Sequence, residues 1–139
     1  MAAEDEVRQA SEQFYAALDS TLDGDSSPME EIWSHGSDVS AMHPFGGRML
    51  GWEEVRAGWE QAAQAFSGGQ VALDEMAVVP ISEDAAYTLG TEHGQGSIGD
   101  ETLRIDWRVT NIYRREVDGW KIVHHHTDFS SEVAEALGI

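Results

Sequence analysis

From Gly68 onward, turn-forming residues recur at short intervals: "GG", "PISED", "GQGSIGDE" and "VDGW" separate four stretches of strand-forming residues, about 70 to 79, 84 to 93, 102 to 115 and 120 to 128. Connections this short join strands that run antiparallel to their neighbours, so the second half of the chain predicts a meander. The longest stretch also tells inside from outside. Its odd positions Leu103, Ile105, Trp107, Val109, Asn111 and Tyr113 are mostly apolar, whereas Arg104, Asp106, Arg108, Thr110 and Arg114 are polar. The odd face looks inward.

The first half has a different period. Val7, Ala10, Phe14, Ala17, Leu18 and Thr21 fall on one stripe of a first helix, with Tyr15 at its border. Ser27, Pro28 and Glu30 occupy the N-cap, N1 and N3 positions of a second, short helix that runs to about Trp33. Val39, Ala41 and His43 alternate with Asp38, Ser40 and Met42 as a strand, which Pro44 and the Gly46-Gly47 pair then end. Trp52, Val55, Trp59, Ala62, Ala63 and Phe66 define a third helix, and "SSEVAEAL" forms a last turn or two, or frays. Helices followed by a curved antiparallel sheet make an α+β domain with helices on one sheet face. No repeat or linker interrupts residues 1–139, which read as a single domain.

Charge and composition exclude several roles. The chain carries 26 acidic residues against eight basic ones, of which only Lys121 is a lysine, for a net charge of −18. Such a surface repels phosphate backbones and anionic lipid, so neither nucleic acid nor membrane is an expected partner. The same excess fits a salt-rich cytoplasm or simple compositional drift. There are no cysteines, hence no disulfides or thiolate metal sites. No apolar run approaches membrane-spanning length, and the acidic "MAAEDEVRQA" is unlike a signal peptide, so a cytoplasmic location is expected. No "GxSxG" elbow supports a serine hydrolase, and the glycines of "GQGSIGDE" precede no helix that would make them a phosphate cradle.

"HPFGG", "GWEEVRAGW" and "NIYRREVDGWKIVHHHTDF", in the order helix, helix, strand, helix, four strands, resemble the SnoaL-like branch of the nuclear transport factor 2 superfamily. That superfamily includes ketosteroid isomerases, scytalone dehydratase and the association domain of calmodulin-dependent kinase II. The likeness runs from about Glu6 to Phe129. It implies a cone, in which a strongly bent antiparallel sheet wraps around about three helices and leaves a pocket at the open end. By register, Phe14 stands where the isomerases carry an oxyanion-stabilising tyrosine, and His43 stands where they carry a general-base aspartate before a proline. Val109 falls where their protonated aspartate would be, so that oxyanion machinery is not reproduced. The kinase association domain, by the same resemblance, places Asn111 and Thr127 facing the pocket. His125 then turns inward too, leaving His124 and His126 on the outer face.

The candidate chemistry centres on His43, whose imidazole can take a proton near neutrality, or which packs as a core histidine bonded to the backbone. His93 and His125 are expected to join it from neighbouring strands, with Asn111 and Tyr113 as hydrogen-bonding groups. Trp33, Trp59 and Trp107 are candidate pocket walls beside Phe14 and Thr127, although each indole serves equally in a packed core. No carboxylate is placed to complete a metal site, and no cofactor is expected. Arg104, Arg108, Arg114 and Arg115 read as cross-strand ion-pair partners. Asp128 serves either to hold a histidine tautomer or to cap the last turn. The expected ligand is a small organic molecule. The expected activity is isomerase- or dehydratase-like proton transfer, the alternative being a non-catalytic binding or assembly domain. A homodimer through the convex sheet face is the expected assembly.

Overall fold

The computed structural model describes residues 2–139. Four helices and six strands follow one another as α1 (Ala3–Leu22), α2 (Met29–Ile32), β1 (Ser40–His43), β2 (Gly46–Leu50), α3 (Trp52–Ala65), β3 (Phe66–Ser82), β4 (Ala85–Ile98), β5 (Glu101–Glu116), β6 (Gly119–Thr127) and α4 (Ser131–Ala136). One curved sheet runs in the order β2-β1-β6-β5-β4-β3. It is antiparallel throughout except where β1 lies parallel to β6, with Ala41 opposite His125. The α+β class and the bent sheet expected above are therefore present.

The helices pack on the concave face because their apolar stripes have nowhere else to be buried. Val7, Phe14, Ala17 and Leu18 of α1 lie in the same core as Val55 and Trp59 of α3 and Ile105 and Tyr113 of β5. Acidic Glu4, Asp5 and Glu6 in the first turn of α1 favour its N-terminus through the helix dipole. The inward odd face of β5 is as read from its alternation, with Leu103, Ile105, Val109, Asn111 and Tyr113 all buried.

Several local expectations need correcting. Pro44 and Gly46-Gly47 do not stop the sheet; they turn it into a hairpin, with Gly46 (φ 99°) and Gly47 (φ 82°) supplying left-handed backbone that side chains resist, and β2 follows. Ser27 does not cap α2: the N-cap position is Pro28, and the Ser27 amide donates to Asp25 Oδ1 at 3.0 Å. The arginines do form ion pairs, but chiefly with loops and along their own strand. Arg114 binds Asp38 Oδ2 at 2.7 Å and Glu116 Oε2 at 2.9 Å, while Arg108 grips Asp128 through two guanidinium bonds of 2.9 Å. Asp128 is thus taken by Arg108, and Ser130 caps α4 instead, its Oγ accepting from the Val133 amide.

β6 breaks the alternation that sequence reading assumes. Ile112 pairs with His124 but Tyr113 pairs with Ile122, so Val123 is an extra residue, a bulge. Ile122 and His125, three apart, consequently both face inward, and Ile122 is a core residue although strict alternation would set it with His124 and His126 on the outer face. His124 and His126 stay on the outside, where Ser40 Oγ meets His124 Nδ1 at 2.7 Å.

Candidate active site

Between the helices and the inner face of the sheet lies a small, partly open cavity of about 50 Å³, walled by His43, Trp59, Phe66, Glu92, Trp107 and His125, among others. α4 closes it: Val133 lies on the wall and packs with Phe45 and Leu103, and the Ser130 amide donates to the Pro44 carbonyl at 2.8 Å. A wider depression of about 910 Å³ beside Trp33 is open surface and contains neither His43 nor His125.

His43 reaches the cavity from the end of β1 and is 4% exposed. Its ring stacks on Phe45 at 4.9 Å between centroids and meets Trp59 edge-on at 4.6 Å. Nε2 is buried without a hydrogen-bond partner. It lies beside the backbone of α3 at Gly58, where a Cβ would stand 3.3 Å from Nε2 and 2.4 Å from Met49 Sδ. Burial drives its pKa down from the ordinary 6.5 to about 4, so the imidazole is neutral and its lone pair available. Gly58→Ala is expected to be tolerated within about 1 kcal/mol, since the flexible Met49 can retreat and alanine favours the helix, yet to displace the imidazole. A perturbed His43 ring signal in NMR at unchanged thermal stability would show this.

His125, 2% exposed, stands 5.7 Å from His43 between ring centroids. It is the end of a buried chain of hydrogen bonds. Its Nδ1 meets Asn111 Oδ1 at 2.7 Å, Asn111 Nδ2 donates to Tyr15 Oη at 3.1 Å, and the Tyr15 hydroxyl donates to Glu92 Oε2 at 2.8 Å. Trp107 Nε1 donates to Glu92 Oε1 at 2.8 Å. With the Asn111 oxygen facing it, His125 carries its proton on Nδ1 and keeps a lone pair on Nε2. Burial, then the neighbouring His43, push its pKa well down. Burial pushes Glu92 the opposite way, from 4.5 to about 7, against the two donors that favour its charge. Tyr15 and Tyr113 are raised, chiefly by burial.

Not every expected residue joins this set. His93 is corrected to the outer face, its side chain 58% exposed and 3.6 Å from Asp74, because the even positions of β4 point inward. Tyr113 is buried, but its hydroxyl is unpartnered and off the cavity wall. Phe14 and Trp33 are core residues behind the cavity: Phe14 touches Tyr15, Trp59 and His125, and Trp33 packs on Trp52 and Trp59. Thr127 is buried with an unpartnered hydroxyl and is likewise off the wall. Glu92 and Tyr15 were not anticipated as site residues. The available signal for Glu92 was its setting, Gly90, Gly94 and Gly96 on the same face of β4, which leaves it as the one long side chain projecting inward there. Among the described residues no three His, Cys, Asp or Glu side chains converge as a metal site, and no helix is long and apolar enough to cross a membrane.

The pH dependence of stability follows from these shifts. For His43 and His125 the folded value lies below the unfolded one, so their burial is free of cost above about pH 6.5 and loses stability as pH falls toward 4. For Glu92 the folded value lies above the unfolded one, so stability is lost as pH rises from about 4.5 through 7 and then levels off. Each effect is expected to be worth about 3 kcal/mol over its full range, and between about pH 4.5 and 6.5 the two oppose each other. Urea midpoints at pH 5, 6 and 8 should show Glu92→Gln gaining stability up to about pH 6.5 and then holding it, and His43→Phe falling further from pH 5 to 8 than wild type does. Asp128, held down to about 2 by Arg108, acts only in more acid solution.

A six-stranded curved sheet covered on one face by helices defines a mixed α+β fold. Residues 7–130 match the SnoaL-like domain, and the chain belongs to that family. Among solved structures it is similar to a candidate dehydratase of the NTF2-like family from Streptomyces avermitilis, at 23% identity and TM-score 0.76 over 91% of this chain and 95% of that one. It is also similar to an NTF2-like superfamily protein from Salmonella enterica serovar Typhimurium, at 20% identity and TM-score 0.80 over 91% and 89%. A candidate calcium/calmodulin-dependent kinase II association domain from Thiobacillus denitrificans is 31% identical, with TM-score 0.67 over 88% and 94%. Among curated proteins no significant match is found.

Proposed function

We propose that this chain, read as one domain, is a proton-transfer enzyme of isomerase or dehydratase type that acts on a small organic molecule. His43 takes a proton from carbon, and His125, in the form that carries its proton on Nε2, steadies the developing charge on oxygen. The observation that carries this reading is the partnerless Nε2 of His43, buried in the same cavity wall as a second imidazole. A buried polar nitrogen without a partner costs free energy, and a ligand or water that bonds to it recovers that cost. Asn111 and Tyr113, the hydrogen-bonding groups expected from the sequence, are not oxyanion donors in this reading, because Asn111 is engaged with His125 and Tyr15, and Tyr113 lies off the wall. Asn111 instead orients His125. No cofactor enters the reaction.

The cavity is smaller than the roughly 300 Å³ at which small-molecule sites begin, so a substrate enters only if α4 swings aside from Phe45 and Leu103. That same smallness, with the likeness to a kinase association domain, favours the second reading, a non-catalytic binding or assembly domain. In either case a homodimer through the outer sheet face, where His124, His126 and the exposed Leu89 lie, is the proposed assembly.

His43→Ala separates the two. Screening wild type and variant against β-hydroxy ketones and conjugated enones should show turnover that falls by about 10² to 10⁴ in the variant while ligand affinity is kept. Wild-type protein that turns over none of them, or a variant as active as wild type, removes the catalytic role.

A further inference from the structure

Among the described residues Glu92 is the only buried carboxylate, and no lysine or arginine is buried with it. Its partners leave little freedom in how protons are arranged. The Trp107 indole N–H can only donate, so Glu92 Oε1 is always an acceptor. Oε2 faces Tyr15 Oη, a group that both donates and accepts. When Glu92 is ionised, Tyr15 must donate to it. Tyr15 then accepts from the Asn111 amide nitrogen, the Asn111 oxygen faces His125, and the His125 proton sits on Nδ1.

When Glu92 is protonated, its O–H has one acceptor along this chain, Tyr15 Oη. Every bond then reverses: Tyr15 donates to Asn111 Oδ1, the amide turns over, and its nitrogen donates to a bare His125 Nδ1. The His125 proton moves to Nε2. We propose that Glu92 is a positioning residue whose protonation, transmitted through Tyr15 and Asn111, decides which ring nitrogen of His125 carries the proton. The Nε2–H form can donate to an oxygen of the ligand, whereas the Nδ1–H form presents a lone pair. This deepens the reading above, because an imidazole that steadies an oxyanion needs the first form.

The surrounding groups leave Glu92 as the one that titrates near neutrality. Tyr15 on α1 and Tyr113 on β5 face it with raised pKa values, and His125 on β6 and His43 on β1 are held neutral by burial. Phe66 and Val71 of β3, Trp59 and Ala62 of α3, and Val133 of α4 complete the wall with apolar groups.

The test is made on the full-length, ¹⁵N-labelled protein without ligand, by following the His125 ring nitrogens in long-range ¹H–¹⁵N spectra from pH 5 to 9. His125 is expected to pass from the Nε2–H to the Nδ1–H form with a midpoint near 7. Glu92→Gln should hold the Nε2–H form at every pH, since its amide nitrogen must face Tyr15 while its oxygen meets Trp107. Tyr15→Phe, which cuts the chain, should leave one form throughout. A single His125 tautomer across the range in wild type, or a transition that persists in either folded variant, overturns the proposal. Because no substrate takes part, its failure is distinct from a failure of the catalytic reading, which rests on turnover.

Discussion

Phe14→Ala is expected to lower the free energy of unfolding by about 4 kcal/mol, the usual cost of emptying a phenylalanine site in a core. Phe14 is wholly buried, edge-on to Tyr15 at 4.9 Å and to Trp59 at 5.9 Å, and 5.2 Å from the ring of His125. Such ring pairs add about 0.5–1.5 kcal/mol beyond the area they bury. A domain of this size has about 5–15 kcal/mol to lose, so the variant should remain folded at low temperature with a much reduced urea midpoint. A loss below about 1.5 kcal/mol would mean that the centre is loosely filled and that the ligand space is larger than the cavity of about 50 Å³. Benzene should then be tried on the variant: a void left by the ring would bind it and raise the melting temperature.

Gly94→Ala should be comparably damaging for a different reason. A Cβ at position 94 would stand 1.9 Å from the Gln70 carbonyl oxygen and 2.9 Å from its carbon, both backbone atoms of β3 that cannot rotate away. The strands must separate or slip, at an expected cost of about 3 kcal/mol or more. Circular dichroism melts and amide exchange along β3 and β4 would register it. Wild-type stability in the variant would show that β3 and β4 do not cross so closely at that point.

The two substitutions mark where sequence reading works and where it fails. Phe14 belongs to a stripe repeated at helical spacing, and a stripe carries its own evidence; β5 was equally legible because charge and apolarity alternate without interruption from Leu103 to Tyr113. β4 offers no such contrast. Its inner face holds Ala86, Thr88, Gly90, Glu92, Gly94 and Gly96, and its outer face carries Leu89 and His93. The glycines are there because β3 comes too near for side chains, which makes the interior face look like a turn and gives Glu92 the appearance of a surface acid. His93 was drawn inward for its chemistry, without a pattern to support it.

β6 misleads in another way. Ile122 and His125 share a face only because Val123 bulges, and a bulge has no composition of its own. The resemblance to relatives turned His125 inward where alternation alone left the choice open. The inward, buried placement of His43 and Asn111 was legible from that resemblance together with strand parity. The chain from Asn111 through Tyr15 to Glu92 was not, since it joins residues 77 and 96 positions apart along the sequence.

The parallel pairing of β1 with β6 has a consequence for how the chain is made. Ser40 lies opposite Leu50 on one side and His124 on the other, so β1 can close its hairpin with β2 early, but its second edge has no partner until residues 119–127 have been made. During synthesis the hairpin bearing His43 waits with that edge open, and a chaperone or a ligand arriving then would meet it before β6 does.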